Sequence, residues 1–202
     1  MSAQGGEVGV RLMPTFSNFD AQSSTGGTIE GQVTLGWGFG AFVGFNFNEH
    51  IGIQVEGIYT TLSQKYVEND QENKVRLNYF NVPLLLSLNT GKDKSVNLNV
   101  VAGPQIGFSS GSKIESTGGN DSLSTTAILS VKKGDLGFAY GAGLDFGLNP
   151  DKTLRFGIGF RGVFGLIDIS DNNRTMTNDS YYLLDRTKVK TYAGYVGISY
   201  IF

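Results

Sequence analysis

Cysteine is missing from this chain of 202 residues, so disulfides and thiolate metal sites are excluded. Histidine occurs once, at His50 in a short turn, where a solvated side chain is the plain expectation. A single histidine there leaves the opposite rim without the Ser-His or Asp-His pair that hydrolysis or acyl transfer would need, so no catalysis is expected. Acids with the fixed spacing of a calcium loop are missing too. Asp168, Asp171, Asp179 and Asp185 are scattered through one polar stretch and read as solvated loop charges. Charge itself is sparse at 17%, with 16 Lys and Arg against 18 Asp and Glu, and no basic cluster suits nucleic acid. No run approaches the roughly 18 apolar residues of a membrane helix. That absence leaves membranes open, because a transmembrane barrel alternates lipid-facing and lumen-facing residues; the mean hydropathy of −0.10 fits such an average. The opening carries no hydrophobic signal region. Ser2, Ala3 and Gln4 look like the remainder of a small-residue cleavage site behind an added Met1, so residues 1–6 are expected to be a tail left after signal-peptide removal.

Glycine, by contrast, is abundant at 29 residues, and aromatics reach 12%. Without a collagen-like period, that much glycine suggests strands that bend or leave room inside a closed barrel. The clearest strand is the last stretch, residues 190–202. Tyr192, Gly194, Val196, Ile198, Tyr200 and Phe202 fall on one face; Thr191, Ala193, Tyr195, Gly197, Ser199 and Ile201 fall on the other. A strand of that length must be paired to be held. The same period of two runs through residues 7–16, 33–47, 51–59, 75–88, 98–108, 136–148 and 154–166. Loops are predicted to occupy residues 17–28, 65–74, 109–134 and 168–187, with residues 123–131 extending the strand that follows them. Turns are predicted at 48–50, 89–94 and 149–152. Pro83 falls mid-strand and predicts a bulge or local break. The connections thus alternate long and short. The expected fold is all-β: one domain over residues 1–202, an eight-stranded antiparallel up-and-down barrel whose last strand pairs with its first.

On nearly every strand the large apolar side chains share one face, while Gly, Asn, Gln and charges share the other. An eight-stranded interior is just wide enough for side chains to fill. It has no room for the Trp, Phe, Tyr, Leu, Ile and Val of all eight rows together. The glycine-rich face is therefore expected inside, and the apolar face outside in lipid, which makes the barrel transmembrane. A soluble lipocalin-like carrier, with the faces reversed, is the rival and would stay dispersed without detergent.

Residues 79–86, Tyr-Phe-Asn-Val-Pro-Leu-Leu-Leu, resemble the aromatic-x-x-(Ile/Val)-Pro-Leu-Leu strand of the Bacteroidetes outer-membrane β-barrel family, the PorT-like barrels. Residues 102–107, Ala-Gly-Pro-Gln-Ile-Gly, are similar to the Gly-Pro strand that follows it there. Residues 141–147 and 160–166 resemble the family's last hairpin. The terminal strand, with Tyr200 and a final Phe202, resembles that of bacterial outer-membrane barrels, where it also serves as an assembly signal. The resemblance implies a place in the bacterial outer membrane, surrounded by its lipid and inserted by the barrel-assembly machinery. It implies no single activity, since only a few members are tied to secretion.

Six charged residues are expected on inner faces: Glu7, Arg11, Glu56, Asp145, Arg155 and Arg161. Unpaired charges in a narrow interior are costly, so their balance of signs predicts a paired network that plugs the lumen. If Leu148 faces Lys152, Asp145 faces Arg155; a two-residue slip makes them diagonal neighbours. Glu56 is expected at an intermediate height, placed to bridge across. Tyr181, Tyr182, Leu183 and Leu184 form an apolar cluster inside a polar outer loop, read as a docking patch for a partner or as a segment folding back on the rim. The glycines between 137 and 159 alternate within strands with no helix after them, so a nucleotide site is not read there, and no cofactor is expected. The expected function is a structural or protein-interaction role, linked to secretion or envelope assembly, with partners at the outer loops or the periplasmic turns. A narrow channel for small solutes is the alternative.

Overall fold

The computed structural model describes residues 5–23, 28–29, 32–68, 71–117, 134–166 and 184–202. Their strands are β1 Gly5–Ser23, β2 Thr28–Ile29, β3 Gln32–Asn46, β4 Ile51–Glu68, β5 Gln71–Asn89, β6 Val96–Thr117, β7 Gly134–Gly147, β8 Leu154–Gly165 and β9 Leu184–Ile201. β2 is a two-residue rung beside the far end of β1. The other eight are long and antiparallel, each pairing with the next, and β9 returns to pair with β1. The seam runs from Glu7 opposite Ile201 to Ser23 opposite Leu184. Closure leaves no open edge, which matters in lipid because an unpaired backbone group there costs several kcal/mol.

Strand register fixes the barrel's shape. A row followed sideways from Gly6 passes Phe45, Ile53, Leu86, Ala102, Tyr140, Gly162 and Tyr192. It closes on Phe16, ten residues further along β1 than it began. That stagger tilts the strands and sets an interior that side chains can fill.

Alternation decides which residues see the lumen. Trp37 is 54% and Phe39 61% exposed on the outside, with Leu35, Val43, Phe45, Leu84, Leu86 and Ile198 in the same belt. Inside, the buried residues are mostly polar, among them Asn97, Arg155, Glu56 and Gln54. An exposed apolar surface running right round a barrel has no aqueous solution; it is a lipid-facing belt. No helix of the described residues is long and apolar enough to cross a membrane.

Several boundaries differ from the sequence reading. β4 and β5 pair as far as Glu68 opposite Gln71, so Lys65 and Lys74 are opposite one another in a hairpin and do not form a loop. β1 continues to Ser23, β6 to Thr117, and β9 begins at Leu184. Beyond the lipid belt neither face has to be apolar, so the alternation fades while backbone pairing continues. Pro83 causes no bulge: Val55 opposite Leu84 and Ile58 opposite Asn81 keep one register across it. The expected local break is there: rungs are lost toward β4 at residues 82 and 83 and toward β6 at residues 84 and 85, around a residue with no N–H to donate. Residues 123–131 lie outside the described residues.

Candidate functional site

The lumen gathers the buried charges. β1 carries Arg11, β4 carries Glu56 and β8 carries Arg161, and the three meet in mid-barrel. Glu56 Oε1 accepts from Arg11 Nη1, from Gln54 Nε2 and, at 2.9 Å, from Arg161 Nη2. Glu56 is 2% and Arg161 3% exposed. The Arg11 guanidinium also lies between two rings, 4.2 Å from the centre of Phe42 and 4.8 Å from that of Tyr195. Such cation–π contacts suit a partly desolvated arginine. Glycine makes the space. A Cβ on Gly143 would sit 2.0 Å from the Tyr195 hydroxyl oxygen, and one on Gly9 would sit 2.4 Å from the Phe42 ring.

Below this bridge, toward the short turns, the lumen is filled by a second layer. The turn between β5 and β6 folds inward, with Gly91 at a φ of 152° that a side chain rarely adopts. Its tip, Lys92, is buried and donates through Nζ to Glu7 Oε2. Arg155 is wholly buried and spreads its donors over backbone carbonyls: Lys92 at 3.1 Å, Lys94 at 3.2 Å, Lys152 at 3.3 Å and Asp145 at 3.1 Å. Asn97 Nδ2 donates to the Asp145 carboxylate at 3.0 Å and to Asn89 Oδ1 at 2.9 Å. Asn99 continues the chain to Ser87 at 2.7 Å.

The Asp145–Arg155 pairing takes the slipped register. Gly147 is opposite Arg155 and Asp145 is opposite Gly157, so the two charged side chains are diagonal neighbours. Arg155 therefore takes the Asp145 carbonyl and the inward turn's carbonyls in place of the carboxylate. Sequence alone places Lys92 in an ordinary turn and misses it as a luminal residue, because nothing in a short polar turn marks it as folding inward.

Above the bridge the lumen holds a small cavity of about 50 Å³, part of it open to solvent. Its walls include Met13, Ile58, Leu62, Val163 and Ala193. A polar strip crosses it: Gln105 Nε2 donates to Asn81 Oδ1 at 3.2 Å, and Asn81 Nδ2 to Thr60 Oγ1 at 3.4 Å. Sequence reasoning missed these walls as well. The signal was there, in apolar residues standing on the inward parity: Met13, Ile58 and Leu62 are all buried.

The remaining residues singled out by sequence are dispersed. Tyr200 is exposed on the outer face. Phe202 donates its backbone N–H to the Gly6 carbonyl at 2.9 Å, and its ring covers Gly6. His50 is exposed beside Glu49, at 3.6 Å. Tyr181, Tyr182 and Leu183 lie outside the described residues, as does the side chain of Leu184. Among the described residues no cluster of three or more His, Asp or Glu is placed to hold a metal ion.

A closed eight-stranded barrel with an apolar belt outside and buried charges inside defines a membrane-spanning β-barrel. Residues 2–171 match the family described as outer membrane protein beta-barrel domain; the chain belongs to it and is a protein of the outer membrane. No curated protein matches the chain. Among solved structures it is similar to OprG of Pseudomonas aeruginosa, with 13% identity, a TM-score of 0.58, and 98% of this chain and 97% of that one covered. Neisserial surface protein A gives 14% identity and a TM-score of 0.55 over 98% and 97% of the two chains. The outer membrane protein AlkL, solved in lipid bilayers, gives 13% identity and a TM-score of 0.52 over 98% and 90%. At such identities the likeness is one of fold.

Proposed function

We propose that this barrel serves a structural or protein-interaction role in the outer membrane, with a lumen that passes no ions. The observation that carries the reading is the Arg11–Glu56–Arg161 bridge standing over an inward-folded turn whose Lys92 holds Glu7. Paired charges fixed across a narrow interior oppose a continuous file of water. The wild-type protein in planar bilayers is expected to show no steady conductance, and a stable conducting state would overturn the reading in favour of a narrow channel. Replacing Arg155 and Arg161 together with Ala is expected to destabilise the barrel or open a small leak.

The finer placement is also ours. The Tyr79 to Leu86 strand supports a place among the PorT-like barrels of Bacteroidetes and a link to secretion or envelope assembly. Partners would meet the outer loops, where Tyr181 to Leu184 fall, or the short turns on the periplasmic side. Co-purification from native membranes with a secretion or envelope component is the expected result; a barrel recovered alone, from a gene neighbourhood without such components, counts against it. Insertion by the barrel-assembly machinery through Tyr200 and Phe202 is tested by deleting Phe202. Insertion in cells is expected to fall far more than refolding in detergent, and equal loss in both would reduce Phe202 to packing against Gly6.

A further inference from the structure

Charge is balanced beside the short turns and unbalanced at the bridge. The lower layer holds two cations, Lys92 and Arg155, and two carboxylates, Glu7 and Asp145. At the bridge the guanidiniums of Arg11 and Arg161 share the one carboxylate of Glu56, an excess of one positive charge. The carboxylate lining the cavity above is that of Asp135. It lies on β7, six residues from the Gly141 that is opposite Arg161, and so roughly 20 Å along the strand at about 3.3 Å per residue. That is too far to neutralise the bridge.

The two arginines are not equivalent. Arg11 lies between the Phe42 and Tyr195 rings, whose electron-rich faces answer part of its charge. Arg161 has no such cover. It is 3% exposed, donates to Glu56 through Nη2 alone, and keeps Nε and Nη1 buried without a partner. Its side chain lines the cavity, whose 50 Å³ or so is space for a few waters. Buried donors ordinarily find partners, and these two find none in the chain. At the upper end the Tyr79 hydroxyl and Asp135 Oδ1, a donor and an acceptor, are also unpartnered, and both residues stand beside Gly107, where water can join them. Water can likewise join Arg161 to the free Glu56 Oε2. Being neutral, it leaves the excess charge of the bridge where it was.

We propose that the floor of this cavity binds one small monovalent anion of the halide class, held by the free donors of Arg161. A guanidinium N–H meets an anion with a charge-assisted hydrogen bond. The Thr60 hydroxyl lines the same cavity; its oxygen accepts from Asn81 Nδ2, so its own hydrogen can turn to the ion. The apolar walls, Met13 and Ile58 among them, keep bulk water off and so strengthen the attraction. A halide is little larger than a water molecule and fits beside one or two of them. Sulfate, with four oxygens, takes up the space those waters need. Glu56 opposes the ion as a like charge, so the bound anion and this carboxylate share the two arginines between them. Entry is from the long-loop side, since the bridge and the Lys92 turn fill the lumen below.

The test uses the whole barrel refolded in detergent, with sodium chloride and sodium bromide as probes. Chloride replaces gluconate at constant ionic strength, and the Arg161 Nε–H resonance is expected to shift saturably. Sulfate in the same titration is expected to bind about tenfold more weakly or worse, since it lacks room. Glu56→Gln keeps an amide oxygen for the arginines and removes the opposing charge, so chloride is expected to bind about tenfold more tightly or better. Bromide soaked into crystals of the wild type is expected to give an anomalous peak within hydrogen-bond distance of Arg161 Nε or Nη1. In Arg161→Gln the urea midpoint is expected to lose the chloride dependence that the wild type shows, with circular dichroism confirming the barrel. A shift that never saturates is a general salt effect and overturns the proposal. So does a cavity without a bromide peak, which would be filled by water alone. Chloride binding unchanged by Glu56→Gln places the ion elsewhere and overturns it too. Should that variant fail to fold, the wild-type titration and the bromide peak decide the matter.

Discussion

Below the Arg11–Glu56–Arg161 bridge, the only side-chain polar atom of the described residues that is buried without a partner is Arg155 Nε. At the bridge and above it there are five: Glu56 Oε2, Arg161 Nε and Nη1, the Tyr79 hydroxyl and Asp135 Oδ1. The wall is the same in both halves, an antiparallel sheet with small residues turned inward. The filling differs. The lower half is built from Asn, Ser, Gln and ion pairs that satisfy one another, while the upper half mixes Met, Ile, Leu and Val with polar groups left over. A fully satisfied polar network rigidifies, whereas each buried polar group left unpaired is costly. One closed barrel thus holds a satisfied polar filling beside its short turns and a looser, mixed one at its other end.

The sharpest way to break this contrast is to remove the shared carboxylate. Glu56→Ala leaves two buried guanidiniums without their anion, and breaking a buried ion pair from one side costs about 3–5 kcal/mol. Urea unfolding in detergent should register a loss of that size. Asp135→Ala in the upper half should change stability by less than about 1 kcal/mol, since its Oδ1 has no partner to lose. Equal losses would mean that the halves do not differ.

A smaller effect is expected one level lower. Lys92→Met keeps the length of the side chain but removes the ammonium that Glu7 accepts from. Glu7 is left buried but keeps Asn46 as a donor, so the loss should be about 3 kcal/mol, the low end for breaking a buried ion pair from one side. The same variant tests the seal, because the turn is held inward partly by this contact and partly by Arg155 on its carbonyls. Conductance appearing in Lys92→Met, with the barrel intact, would locate the seal in the turn; a silent variant would locate it in the bridge.

How much of this was legible depended on which force wrote the signal. Lipid writes loudly: the row Val33, Leu35, Trp37, Phe39, Ala41, Val43, Phe45, Phe47 announces a strand and its outer face. The volume argument then turned the glycine face inward and brought Arg11, Glu56 and Arg161 into one interior. Register wrote nothing so plain. The two-residue slip that sets Gly147 opposite Arg155 depends on the turn at Lys152, where φ is +58°, and residue types alone allowed either alignment. Lys92 looked like any turn lysine. The upper cavity is hard to read from parity, because Met13, Ile58 and Leu62 are exceptions on an inward face that is otherwise mostly small or polar.

Glycine gives the finest version of the comparison and the smallest expected effect. Gly143 faces the crowded middle of the lumen, where an added Cβ would lie 2.0 Å from the Tyr195 hydroxyl and 2.9 Å from the Ile158 carbonyl. The ring can swing but the backbone cannot, so Gly143→Ala should cost about 1–3 kcal/mol, the usual range for overpacking. Adding Tyr195→Phe should recover part of that loss and leave the share due to Ile158. Gly38 faces the upper cavity, where its added Cβ would meet Thr60 Oγ1 at 3.3 Å and the Met13 carbonyl at 3.4 Å. The first of these is a hydroxyl that can rotate away. Alanine also restricts the unfolded chain more than glycine does, which at an unstrained extended position adds about 0.4–1 kcal/mol of stability. Gly38→Ala should therefore be neutral or slightly stabilising in the same urea titration. If it costs as much as Gly143→Ala, the upper half is packed as tightly as the lower, and the contrast between them is not there.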